Sequence, residues 1–193
     1  MRARGFTAIE MLVVLAIVAL LLAIRTPLSD AFARERIRSA GAESAITFRR
    51  ARLAAIRTCR ETAVRVEQNP AAYRLAVYVD GNRNGVRNAD IASGIDRPAG
   101  LALNWIRGDV RPGFLRNVRI PDPSNPGHYL DRLNDPVRFN GSNLCSFSPI
   151  STATPGSLYL TDGRREMAVL RVNGQMGRIH LLYYTAGDRQ WRP

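Results

Sequence analysis

The sequence predicts an α+β protein in which a long N-terminal helix packs on an antiparallel β-sheet domain. Three observations carry this prediction. Residues 5–24, GFTAIEMLVVLAIVALLLAI, form an apolar run with a single ionisable side chain, Glu10. Residues 28–58 repeat apolar side chains at helical spacing, and the last third alternates like strands joined by Asp-Gly and Asn-Gly turns. At 193 residues the chain has room for one modest globular domain beyond the apolar run.

As a helix, the 19 residues from Phe6 to Ile24 extend about 28 Å, matching the ~30 Å hydrocarbon core of a bilayer. A carboxylate at that depth costs a few kcal/mol unless it is neutralised, so Glu10 marks a contact with a cation or a donor. Arg2 and Arg4 precede the run and belong on the cytoplasmic side by the positive-inside rule, which places the rest of the chain outside. Downstream, Ile24-Arg25-Thr26-Pro27 lacks the small-residue site at which a secretory signal peptide is removed. The alternative is a cut between Gly5 and Phe6 that trims the basic leader and keeps the anchor. The expected organisation is a leader at 1–5, a transmembrane helix half at 6–27, an amphipathic stalk helix at 28–60 and a β-rich domain at 61–193.

On the stalk, Ile37, Gly41, Phe48, Ala51, Ala55 and Cys59 share one side at 100° per residue, with Leu28, Ile46 and Leu53 nearly opposite. One apolar stripe covers the helix's own domain; a second implies burial against another molecule or under loops of the same domain. Pro27 lacks an N–H and is expected to kink or loosen the helix. Arg34, Arg36, Arg38, Arg49, Arg50, Arg52 and Arg57 read as a solvated face.

After Cys59 the period changes to that of strands. Residues 62–68 and 73–80 form a hairpin through a turn at 69–72. The next loop sets Asp80, Asn82, Asn84 and Asp90 at spacings that resemble the first half of an EF-hand, with Gly85 sixth, which makes them candidate calcium ligands. Ile91 stands where the bidentate glutamate belongs, and a turn rich in asparagine and glycine accounts for the same letters. Brief strands are expected at 101–106, 117–120 and 137–141, with PDPSNPG at 121–127 an exposed loop. Three firmer strands follow at 156–161, 167–172 and 178–183. The two cysteines of an exported domain, Cys59 and Cys145, suggest one disulfide tying sheet to helix, with two free thiols as the alternative.

The formal charge is +12, and all 28 basic residues are arginine. Such an excess points to an acidic partner such as nucleic acid, anionic lipid or an acidic protein surface, although a coding bias also replaces lysine by arginine. Arg164, Arg165, Arg178, Arg189 and Arg192 fall at turns and in the tail, where convergence on one sheet edge would grip phosphates, and Trp191 could stack on bases. Catalysis finds no constellation. His128 and His180 lack metal or nucleophile spacing, no glycine loop cradles a phosphate, and no cofactor is implied.

Together, the basic leader, Gly5-Phe6, Glu10 and Pro27 closely resemble the N-terminus of type IV prepilins and type II secretion pseudopilins. The resemblance implies cleavage after Gly5 by a prepilin peptidase, N-methylation of Phe6, and a Glu10 that neutralises the new amino terminus of a neighbouring subunit. It also implies a type IV pilin-like fold and a single-pass inner-membrane protein with a periplasmic C-terminal domain, joined to other pilin or pseudopilin subunits in a filament. The C-terminal strands and their glycine-arginine turns resemble the pseudopilin-H/FimT group of minor pilins, some of which bind DNA through a Gly-Arg-x-Arg motif. Gly177 and Arg178 match that motif; His180 replaces its second arginine. Two functions compete, a structural subunit of a secretion pseudopilus or type IV pilus and a DNA-binding minor pilin.

Overall fold

The computed structural model describes residues 7–69, 72–101, 104–106 and 108–193, with the backbone alone at 23–28 and 104. Gly5 and Phe6 therefore lie outside the described residues, as do two positions of the expected 69–72 turn. One helix, α1, runs Ala8–Thr58. Its backbone stays helical through Pro27, whose side chain lies outside the description. The chain divides into two compact units, Met1–Glu35 and Arg36–Pro193.

In the first unit the helix opens with a capping box. Glu10 Oε2 accepts from the Thr7 backbone N–H and from Thr7 Oγ1, both at 2.8 Å, and the Glu10 N–H donates to Thr7 Oγ1 at 3.4 Å. From Thr7 to Leu22 every residue is exposed, including Ile9, Leu12, Leu15 and Leu21, each at least 60% open.

In the second unit, from Arg36 onward, α1 packs against two antiparallel sheets. The first comprises β1 (Thr62–Asn69), β2 (Ala72–Val79), β3 (Arg97–Pro98), β4 (Asn104–Ile106) and β7 (Leu144–Phe147), ordered β3-β2-β1-β7 with β4 also on β2. The second comprises β5 (Arg111–Pro112), β6 (Val137–Arg138), β8 (Gly156–Thr161), β9 (Glu166–Val172), β10 (Ile179–Thr185) and β11 (Trp191–Arg192), ordered β11-β10-β9-β8-β5 with β6 also on β8. A short helix, α2, spans Asn88–Ser93.

Helix and sheets meet in one core of Ile37, Phe48, Ala51 and Ala55 with Val64, Leu75, Leu158 and Leu170. Phe48 anchors it, 5.8 Å from the ring of Phe139 and 6.4 Å from that of Phe147. Burying such a side chain contributes about 1.5–3 kcal/mol. Gly41 allows the closest approach, because a β-carbon there would stand 3.2 Å from Leu181 Cδ1 and 3.3 Å from Ala168 Cβ. Thr62 Oγ1 donates to the Ala51 carbonyl at 2.8 Å and ties β1 to α1.

The second sheet is buried on both faces. Leu158, Leu160, Ala168 and Leu170 turn to the helix side, while Tyr159, Met167, Val169 and Tyr184 form another core with Leu115 and Ile120 from the long segment before β6. That segment corrects one expectation, since 117–120 is turn and coil rather than a strand. Ile120 supplies a core side chain without a ladder partner, which apolarity alone does not distinguish from a strand. Neither β11 nor α2 was expected.

Candidate functional site

Among the expected assembly residues, Glu10 sits in the capping box and carries its carboxylate on two Thr7 donors. Sequence reasoning assigned Glu10 a partner and overlooked the Thr-x-x-Glu spacing that caps the helix locally. Among the described residues no helix is long and apolar enough to cross a membrane; the description of side chains on the apolar run stops at Leu22. In the second unit, Ile46, Leu53 and Ile56 are 43, 57 and 41% exposed on the helix face turned from the sheets. Loops of the same domain do not cover Ile46 and Leu53, so α1 presents a second apolar stripe flanked by exposed Arg49, Arg50 and Arg57.

The basic candidates do not share one edge. Arg164 and Arg165 occupy the β8–β9 turn, where Asp162 Oδ1 accepts from their two backbone N–H groups at 2.8 and 3.0 Å. The Ala186 N–H donates to the Arg165 carbonyl at 2.9 Å, which brings the turn holding Arg189 to the same end. Arg178 lies at the opposite end, separated by the 7 residues of β9, or roughly 20 Å. Arg192 pairs with Asp188 at 3.4 Å. Arg164 lines a groove with Arg111, Asp109 and Asp162, whose carboxylates offset the positive charge. Strand length thus divides what the expected convergence required. Trp191 is also corrected: its Nε1 donates to the Pro121 carbonyl at 2.8 Å, and its ring packs 5.2 Å from that of Tyr184, so it is not a free stacking platform.

Beside Gly177, which takes a left-handed φ of 55° and backs onto the Ser151 carbonyl and Arg52, Arg178 is exposed. His180 pairs with Arg171 across β9–β10, and Arg171 with Ser157 across β8–β9. Arg171 and Ser157 escaped the sequence reading. The available signal was the lone charge in MAVLRV, which strand alternation places on the face away from the helix.

The calcium candidates form a closed turn. Asp80, 4% exposed, accepts from the N–H groups of Asn82 at 3.1 Å and Arg83 at 2.7 Å through Oδ1, and of Gly85 at 2.9 Å through Oδ2. Asn82 Oδ1 accepts from the Asn84 N–H at 3.3 Å, and Asn82 Nδ2 donates to Asp90 Oδ2 at 3.4 Å. Asp96 accepts from the N–H groups of Gly81 and Arg87, both at 2.9 Å. Backbone donors thus occupy both carboxylate oxygens of Asp80 and Oδ1 of Asn82, and no metal-holding group of acids, histidines or cysteines occurs among the described residues.

Nor is the expected disulfide formed; Cys59 and Cys145 are free thiols. Cys59 ends α1 with a left-handed φ of 51° and is exposed rather than on the core face, whereas Cys145, opposite Val64 on β1, is fully buried with Sγ 3.7 Å from the Thr154 carbonyl. Burial pushes the Cys145 thiol well above the usual cysteine range.

In comparisons with known proteins, no family model, curated protein or solved structure matches this chain.

Proposed function

We propose that the chain is a minor pilin or pseudopilin, anchored in the inner membrane by the apolar part of α1 and assembled through that helix into a type II secretion pseudopilus or a type IV pilus. The observation that supports this is the exposed apolar surface of α1 from Ile9 to Leu22, far more than a soluble helix tolerates and covered only by lipid or by neighbouring helices. A helix packed on antiparallel sheets is compatible with a pilin-like architecture. In this role the Glu10 carboxylate exchanges its Thr7 donors for the amino terminus of the next subunit, so that assembly neutralises two charges in a low dielectric.

Intact-mass analysis of the membrane-extracted protein tests the proposal. Loss of residues 1–5 with one added methyl on Phe6 is expected, and an N-terminus at Met1 in cells with an active prepilin peptidase rejects it. Glu10→Val is expected to insert but not to assemble; normal incorporation of that variant would remove the role given to Glu10. A DNA-binding minor pilin is the second reading, favoured by the exposed Arg178 beside left-handed Gly177. It predicts duplex binding that weakens steeply with salt and is lost in Arg178→Gln.

A further inference from the structure

Where the Arg178 end of the second sheet meets the segment that covers it lies a half-open pocket of about 470 Å³, within the size range of small-ligand sites. Its floor is a single cross-strand row, Ser157 on β8, Arg171 on β9 and His180 on β10. Ser124 and Asn173 complete the polar wall, and among the described residues no aspartate or glutamate lines it. Asn173 donates its N–H to the Arg178 carbonyl at 2.9 Å, which continues the ladder and sets Arg178 one step beyond His180 on the same face.

We infer that this pocket binds a phosphate group, through the Arg171 guanidinium, the His180 ring and the Ser157 hydroxyl. Arg171 is half-buried, and its Nη1 donates to the Pro123 carbonyl at 2.8 Å. That bond holds the planar fork in place while leaving further N–H groups for a ligand, and a fixed fork suits a tetrahedral oxyanion better than a flexible cation does. The acid of the covering loop, Asp122, turns its Oδ1 to the Ser124 N–H at 2.7 Å. Pinning the loop would require Arg171 alone; it leaves unexplained an imidazole in register with it on a wall where no described residue is a carboxylate, and the Ser157 hydroxyl, which interacts with the Tyr159 phenol, sits beside the same fork. The pocket exceeds one phosphate, so a group that carries it finds room beside Pro155. The inference stands independently of filament assembly.

The test is a titration of the full-length ¹⁵N-labelled chain in mild detergent with inorganic phosphate and, separately, with a short oligothymidylate, each against chloride at matched ionic strength. Expected are saturable shifts at Ser157, Arg171, Asn173 and His180, weakened about tenfold or more in Arg171→Gln, the scale of one lost hydrogen bond to a charged group. Because Arg171 also holds the covering loop, His180→Gln, which alters an exposed side chain, is the second variant, and it too is expected to weaken binding. Saturation of the same resonances by the oligothymidylate at lower concentration assigns the phosphate to a nucleic-acid backbone. Binding of phosphate alone assigns it to a free or monoester phosphate, and either result supports the site. Absence of saturable shifts with both probes, equal shifts with chloride, or equal affinity in both variants overturns it.

Discussion

At Cys145 the thiol is enclosed with Phe48 and Val64 in the main core, and the thiolate that reacts with alkylating reagents is not populated at neutral pH. Cys59, by contrast, opens to solvent where α1 ends. A maleimide is therefore expected to label one thiol in the native protein and two in denaturant, with native labelling abolished by Cys59→Ser. A non-reduced protein that labels at neither cysteine even in denaturant would restore the cross-link that an even cysteine count suggested. The count was legible in the sequence. What hid the outcome is that pairing needs β-carbons brought to about 4 Å, and the register sets Cys145 opposite Val64, inside β1, whereas Cys59 precedes that strand.

The loop between β2 and α2 makes the corresponding point for an element. Alternating aspartate and asparagine with a glycine is the chemistry both of a calcium loop and of nested turns in which side-chain oxygens accept local N–H groups. Here Asp80 serves the second use, since it is buried and holds three backbone donors. Millimolar calcium is expected to leave the melting temperature unchanged. Asp80→Ala, which strands those donors, is expected to destabilise by about 3 kcal/mol or more in urea unfolding. A calcium-dependent rise in stability, or a harmless Asp80→Ala, would reverse the assignment. The neighbouring hairpin was far more legible: β1 and β2 fall within a residue of their expected spans, since alternation and a proline turn act locally.

For the molecule as a whole, the decisive feature is the apolar surface that α1 leaves uncovered on its outer face. Ile46 and Leu53 are 43 and 57% exposed and belong to none of the core clusters, so Ile46→Asp with Leu53→Asp is expected to change folding stability by no more than about 0.5 kcal/mol per site. The same pair is expected to block incorporation into filaments, because it places charge where neighbouring helices would pack. Unfolding of the double variant would show that the stripe serves the domain itself, and normal incorporation would show that the face is not an assembly surface.

By itself the sequence determined the α+β class, the single long helix with its apolar first part and two-sided second part, and every principal strand of the C-terminal sheet. Those features follow from periods of 3.6 and 2 and from turn residues that act over a few positions. Tertiary structure alone decided that the second sheet is covered on both faces, that Trp191 joins the core beneath it, and that the arginines separate to opposite ends. It also set Ser157, Arg171 and His180 side by side. The physical reason is that register, strand length and the path of a long irregular segment arise from contacts between residues distant in sequence, and local periodicity carries no record of which strand lies beside which.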